Sequence, residues 1–366
     1  MNSKKIKIKE ILPIIILLIL VAAVVAVILI RSGDRGRQEP KRQEKAFYGF
    51  YDTASGEFAL YFNTDCRVYD YSGLSEDGFA SVCGKIEKAL EKYHKLFDIY
   101  REYEGVVNLA TINASAGGEA VAVCQELYDF IEYAVSLYNL TGGEMNVTMG
   151  AVLSIWHGCR EAALSGGQIR VPTYDELSAA NAHTGISVIE LDEENMTVRL
   201  TDPRARIDAG ALGKGYATEM IARELMALGV DDFVLNFGGN LRLIGDRGGD
   251  GWRVGVQNPN MGVGEPYIKY LNEKNTSVVT SGDYERYYIK DGVKYHHIID
   301  KDTLMPAAYF TSVTVVTENS GLADALSTAL FCMSLEDGRA LCESLREDGV
   351  EVKAVYLDYE GNLTEI

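Results

Sequence analysis

The chain reads Ile207-Asp-Ala-Gly-Ala-Leu-Gly-Lys-Gly-Tyr216, keeps a helical pattern to Leu228, and breaks at Gly229. Phe233-Val-Leu-Asn-Phe237 follows, then Gly238-Gly-Asn240, then Leu241-Arg-Leu-Ile244. A glycine loop opens a helix, and strands come next with a Gly-Gly step between them. On either side of this stretch strands come in runs and helices in blocks. That pattern predicts an α+β body of mixed and antiparallel sheets flanked by helices, not a regular βαβ array. On its own the glycine loop reads first as a tight strand-to-helix turn. It also has the makings of an anion site, because a helix start offers free N–H groups and a positive dipole end, and Lys214 adds a point charge. It lacks the spacing and the trailing Ser/Thr of a Walker A loop, and it is not a GxGxxG turn.

Toward the N-terminus, the aromatic run from Phe47 to Phe62 reads as strands and Ser75 to Leu96 as a helix. His94 lies on that helix's apolar face and reads as a packed histidine. Residues 119–140 form a second expected helix, with Val123, Leu127, Ile131, Ala134 and Tyr138 on its buried face and Gly142-Gly143 closing it. An apolar stretch holding Trp156 comes next, then a polar, loop-rich segment over 159–182 with a short helix near 174–180. Residues 187–201 read as a hairpin. Beyond Ile244 we expect strands at 252–256, 312–317 and 352–358 and helices at 322–333 and 336–346.

The chain has 366 residues, and Ile11 to Ile30 form an apolar run of 20 after a short N-terminal segment, 1–10. At about 1.5 Å per residue the run matches the roughly 30 Å of bilayer hydrocarbon. It ends in bulky residues and Arg31 with no small-x-small site, so it reads as an uncleaved transmembrane anchor, 11–30. Residues 31–45, charged and without apolar periodicity, read as a flexible tether, and 46–366 as one catalytic domain. Ten basic against four acidic residues give the first 45 a net +6, so the remainder carries −24 of the formal −18. A body this acidic argues against nucleic acid as a partner and suits a bound divalent cation. The six cysteines form no CxxC pair and read as buried free thiols.

Three further stretches carry chemistry-bearing side chains. Thr280-Ser-Gly-Asp-Tyr-Glu-Arg-Tyr-Tyr288 and Tyr295-His-His-Ile-Ile-Asp300 flank an Asp291-Gly292 turn and read as one hairpin. Its adjacent histidines point to opposite faces, so one of His296 and His297 can face a site. Ala323-Asp-Ala-Leu-Ser-Thr328 sets Asp324, Ser327 and Thr328 on one helix face, an oxygen-rich group suited to Mg²⁺, with N-terminal capping by Asp324 as the plainer reading. Gly238-Gly239 either makes a turn or lets something approach the backbone closely.

Together these motifs resemble the FAD:protein FMN transferases, the ApbE-like flavin transferases. The resemblance runs from about Tyr51 to Leu357 and includes Trp252-Arg-Val-Gly-Val256 as well as the stretches above. It implies an ApbE-like catalytic body that takes FAD and, with Mg²⁺, moves its FMN moiety onto a Thr or Ser hydroxyl of an acceptor protein, releasing AMP. It implies that Asp324, Ser327 and Thr328 hold the metal with the carbonyl of Gly213, and that His297 is the catalytic base. Tyr51, Tyr100, Asn113, Asn146, Thr148, Gly210, Lys214, Gly238, Gly239, Asn240, Ser281 and Gly282 would line the FAD site, and Asp283 and Arg286 would hold the flavin or order its loop. The alternatives are an FAD pyrophosphatase giving FMN and AMP, and a non-catalytic FAD-binding protein.

The chain departs from the family pattern at three places. Tyr51-Asp-Thr53 stands where the family has Met-Gly-Thr, Met145-Asn-Val-Thr148 where it has Phe-Asp-x-Thr, and Lys301-Asp-Thr-Leu304 where it has Pro-x-Thr-Gly. The first and second change cofactor positions, and the third is expected to loosen a turn. Charges flank both sides of the apolar run, so they do not orient it. Export, typical of the family, implies a single-pass cell-membrane protein with its catalytic domain outside the cytoplasm.

Overall fold

The computed structural model describes residues 42–52, 56–260 and 264–366. The expected anchor and nearly all of its tether lie outside the described residues. Among those described, no helix is long and apolar enough to cross a membrane.

Eight strands form the central sheet: β1 (Gln43–Phe47), β2 (Cys66–Asp70), β3 (Phe233–Phe237), β4 (Asn240–Ile244), β5 (Ser277–Gly282), β6 (Ser312–Thr317), β7 (Val352–Leu357) and β8 (Leu363–Glu365). Their order in the sheet follows their order in the chain, and every neighbouring pair is antiparallel. β3 and β6 are buried at every position, because layers cover both faces of the sheet. Opening at Gln43, β1 takes in the last residues read as tether.

The helices are α1 (Glu76–Phe97), α2 (Leu109–Ala114), α3 (Gln125–Leu140), α4 (Gly150–Leu164), α5 (Tyr174–Asn181), α6 (Gly213–Ala227), α7 (Ser320–Cys332) and α8 (Leu335–Glu347). Helices α1, α3, α6 and part of α7 bury a core against Val68, Phe233, Leu235 and Phe237. The rest of α7, with α8, packs on Val279, Val313, Val315 and Ala354. The alternate side chains Val234, Leu243, Val278, Val316 and Val355 point to the other face, under a ribbon of Trp252–Gln257 and Tyr267–Glu273.

Several expectations are corrected. Helix α3 begins at Gln125, because Val121–Ala122 pairs as a short strand with Thr197–Val198. Helix α4 runs on to Leu164 through a segment read as loop, burying Val152, Trp156 and Cys159 at helical spacing. The histidine hairpin is only Tyr287–Lys290 with Val293–His296, while Thr280–Gly282 belongs to the central sheet. Asp291 and Gly292 have φ of 50° and 80°, as a two-residue hairpin turn requires. Of the cysteines, Cys124 is exposed and the other five are buried free thiols. His94 is buried as expected, and its Nδ1 accepts the Phe62 N–H at 3.0 Å.

The turn after Asp300 is closed rather than loose. Asp300 Oδ1 accepts the N–H groups of Asp302 and Thr303, and the Leu304 N–H reaches the Asp300 carbonyl at 2.8 Å. Leu304 holds the left-handed φ of 60° that the family's glycine would take. Its buried side chain packs in a satellite cluster with Trp156 and Tyr288, joining the hairpin to α4.

Candidate active site

The starts of α6 and α7 meet beside the ends of β4 and β5. Gly215, on α6, has no side chain because a Cβ there would lie 2.4 Å from both the Asp324 Cβ and the Ser320 carbonyl oxygen. That close approach lets the buried Asp324 carboxylate accept the Gly215 N–H at 2.8 Å. Asp324 thereby caps α6, a neighbouring helix, while Asn319 caps α7. Lys214 Nζ stands 3.4 Å from Asp324 Oδ1 and 3.5 Å from Oδ2.

Three hydroxyls complete this corner. Ser281 Oγ lies 2.9 Å from Ser327 Oγ and 3.4 Å from Thr328 Oγ1, and Ser327 donates to the Asp324 carbonyl. Among the described residues no group of three His, Cys, Asp or Glu side chains could hold a metal. One carboxylate with hydroxyl and carbonyl oxygens fits a hard cation that keeps several of its waters. Gly213 is the first residue of α6, so its carbonyl runs into the helix ladder. The Ala209 and Leu212 carbonyls take N–H groups of this helix start. The carbonyls of Gly210 and Ala211, just ahead of it, accept no backbone hydrogen bond among the described residues.

A buried network holds the corner in register. On α6, Glu219 Oε2 accepts the Ser320 N–H at 3.0 Å and lies 3.6 Å from Nε of the fully buried Arg242 on β4. Ser320 donates from Oγ to Asn240 Oδ1. The Asn240 Nδ2 is buried without a hydrogen-bond partner beside Gly215. Gly238 and Gly239, with φ of 61° and 83°, make the two-residue turn between β3 and β4 and so deliver Asn240 here.

The glycine loop is fastened from behind. Asn113 clasps the backbone of Ile207, donating to its carbonyl at 2.9 Å and accepting its N–H at 2.7 Å. The Val147 carbonyl takes the Asp208 N–H. Asn146 Oδ1 accepts both the N–H and the hydroxyl of Thr148, whose Oγ1 in turn accepts the Gly185 N–H. Asn146 therefore shapes the turn in which the family carries a carboxylate.

Beside the glycine loop, the expected Tyr100 meets two residues that the sequence reading left unassigned, Asp208 and His157. Asp208 is 6% exposed; its Oδ1 accepts the Gly210 N–H, and its Oδ2 has no hydrogen-bond partner. His157, on α4, lies with Nδ1 4.0 Å from that oxygen and 2.8 Å from the Tyr100 hydroxyl. Enclosure of the hydroxyl end and the Asp208 charge push the Tyr100 pKa up to about 12. Burial, and then Arg160 and Arg286, depress His157 against the pull of Asp208.

His296 is committed to structure. Its ring is 2.9 Å from the Ala307 carbonyl through Nε2, and Nδ1 accepts the Ile298 N–H. The Nδ1 of His297 is buried with no hydrogen-bond partner. Burial first, then the charges of Arg286, His296, Arg160 and Lys214, push its pKa down to about 3. Asp283 is fully buried and ion-paired to Lys294, which anchors the loop ahead of the hairpin. Arg286 keeps an exposed surface but sits in a recess, where desolvation and the charge of Arg160 disfavour its cation.

The structure therefore gathers Lys214, Asn240, Ser281, Asp324, Ser327 and Thr328 at one corner. Gly282 continues β5 from that corner, close against the Tyr284 ring. Tyr51 is 63% exposed on a hairpin of Gly49–Asp52 with Glu57–Leu60, which Glu57 ties to Arg101 next to Tyr100. The site also includes Asp208, His157 and Arg160. Asp208 was visible inside the glycine motif and His157 beside Trp156, while Arg160 lay in the segment read as loop.

Comparison with known proteins places the chain in a family. A model of the ApbE family matches residues 62–353. The FAD:protein FMN transferase of Treponema pallidum is 32% identical over 323 residues, covering 82% of this chain and 83% of that protein. That of Vibrio cholerae is 31% identical over 283 residues, covering 76% and 81%. Among solved structures, the ApbE protein of Thermotoga maritima aligns with a TM-score of 0.72 at 29% identity, over 88% of this chain and 96% of its own. The flavin transferase ApbE of Vibrio cholerae aligns at 0.70 and 25%, over 89% and 96%. Fold and relatives together define a transferase. The chain belongs to the ApbE family.

Proposed function

We propose that this protein transfers the FMN moiety of FAD to a Thr or Ser hydroxyl of an acceptor protein. The acceptor oxygen attacks the FMN-side phosphorus, the bond to the bridging oxygen breaks, and AMP leaves with that oxygen. The observation that carries this reading is the corner where Asp324, three hydroxyls and Lys214 meet the glycine loop. Mg²⁺ held by Asp324, Ser327, Thr328 and a carbonyl ahead of α6 would supply charge neutralisation for the pyrophosphate and for the departing AMP.

His297 takes the proton of the acceptor hydroxyl. In the free protein its neutral imidazole is ready to accept, but a pKa pushed down to about 3 makes it a weak base. Arg286, Arg160 and Lys214, which help to depress it, are cations that an anionic dinucleotide would neutralise. Substrate binding therefore strengthens the base that the reaction needs. Lys214 binds phosphate oxygens, and the Asn240 amide and the Asp208 carboxylate complete polar contacts to the dinucleotide.

The apolar run at 11–30 supports a membrane-tethered enzyme, and the export typical of the family is the ground for placing its acceptors outside the cytoplasm. Protease accessibility on intact cells checks the side on which the body lies. The reaction is tested by incubating the protein with FAD, Mg²⁺ and a Thr-bearing acceptor domain. Acid-stable flavin on the acceptor, with AMP released in equal amount, supports transfer. Free FMN and AMP with every acceptor tried would make the protein an FAD pyrophosphatase.

A further inference from the structure

His157 belongs to none of the roles assigned above, yet it stands between two that matter. Its Nδ1 is 2.8 Å from the Tyr100 hydroxyl and 4.0 Å from Asp208 Oδ2. The Tyr100 ring is largely exposed, and its hydroxyl is tethered to the His157 ring. The 2.8 Å contact admits the phenol as donor to the imidazole, and in that arrangement the His157 proton sits on Nε2 and the Nδ1 lone pair faces Tyr100. His157 then has no Nδ1 proton to give Asp208. The buried Oδ2 stays an open acceptor, at the desolvation cost that such an atom carries.

We propose that His157 is a positioning residue for the dinucleotide. It pins the Tyr100 ring at the mouth of the site and, by accepting the phenol proton, leaves Asp208 Oδ2 free for an N–H or O–H donor of the substrate. Tyr100 supplies an aromatic face and Asp208 an acceptor, a pairing that suits a planar, hydrogen-bonding ring system. His157 and Arg160 lie three residues apart on α4, so the same face carries a guanidinium toward the anionic part of the ligand. This inference rests on the flavin reading, and its test separates the two.

The test is FAD binding by the full-length protein, followed by flavin fluorescence, for wild type, Tyr100→Phe, His157→Leu and the double variant. Tyr100→Phe deletes one oxygen from an exposed ring and leaves folding intact. Each single variant should weaken binding about fivefold, the scale of one lost hydrogen bond, and the double variant should also lose about fivefold. A double variant about 25-fold weaker, the product of independent effects, would overturn the inference, as would a His157→Leu protein that binds like wild type. If wild type itself binds no FAD, the flavin reading falls and this inference with it.

Discussion

Gly215→Ala is the smallest change that should disable the site. The added Cβ would lie 2.4 Å from the Asp324 Cβ, 2.4 Å from the Ser320 carbonyl oxygen and 3.0 Å from Asn240 Nδ2. Backbone and a Cβ cannot swing away, so α6 and α7 must part by about 1 Å to reach ordinary contact distances. Overpacking of this kind costs about 1–3 kcal/mol. Parting the helices also stretches the 2.8 Å bond from Gly215 N–H to Asp324, a charge-assisted bond whose loss costs about 1.5–3 kcal/mol. The helix-propensity gain of Ala over Gly returns only about 1 kcal/mol. The net expectation is a loss of about 1.5–5 kcal/mol, read by urea denaturation. Gly213→Ala is the control, because its Cβ meets neighbours only at 3.3 and 3.4 Å. There the propensity gain should hold the change within about 1 kcal/mol. A Gly215→Ala protein as stable as wild type would refute the tight-crossing argument.

Three further outcomes are expected. Lys214→Met should tighten Mn²⁺ binding to FAD-free protein, read by calorimetry: at 3.4 Å the ammonium competes for Asp324 with roughly 5 kcal/mol of attraction at an effective dielectric of about 20, cut by partial exposure to about 1 kcal/mol, or several-fold in affinity. Unchanged or weaker Mn²⁺ binding would mean that Lys214 does not contest the cation site. Leu304→Gly should destabilise despite relieving a left-handed residue, because about 1 kcal/mol of backbone relief is smaller than the 2–5 kcal/mol scale of deleting a buried leucine side chain; a more stable variant in thermal melts would reverse that ranking. In acid, folded His297 stays neutral down to about 3 while the unfolded side chain takes a proton near its ordinary 6.5. The unfolded chain thus binds more protons between those values, so stability falls as pH drops through that window. His297→Gln should flatten part of the fall in denaturation measured from pH 7 to 4; an unchanged slope would place the sensitivity elsewhere.

The parts of the fold legible in the sequence are those with one dominant local signal. Runs such as Phe233–Phe237 and Ser312–Thr317 announce strands, and Gly229 and Gly142-Gly143 mark helix ends. Helix α4 was read only as an apolar stretch followed by loop, because Gly158, Arg160 and Glu161 dilute its apolar stripe, although Trp156 and Cys159 remain in register. The loop reading from residue 159 hid Arg160, and His157 was passed over within the apolar stretch around Trp156. The oxygen set at Asp324, Ser327 and Thr328 was legible because i, i+3 and i+4 spacing shares a face in any helix. That Asp324 caps a different helix was not, since the contact spans 109 residues of chain. Asp208 lay in plain view in the glycine motif. Its importance comes from an oxygen left without a donor, which only the folded surroundings decide.

The central claim is that His297, beside the Asp324 corner, moves FMN onto a protein hydroxyl. Intact-mass measurement of an acceptor domain after incubation with FAD, Mg²⁺ and either wild type or His297→Ala tests it most directly. The account predicts that wild type adds the mass of one FMN, and that His297→Ala binds FAD but transfers about 10²–10⁴ times more slowly. Equal labelling by the two proteins, or no added mass with wild type across suitable acceptors, would contradict it.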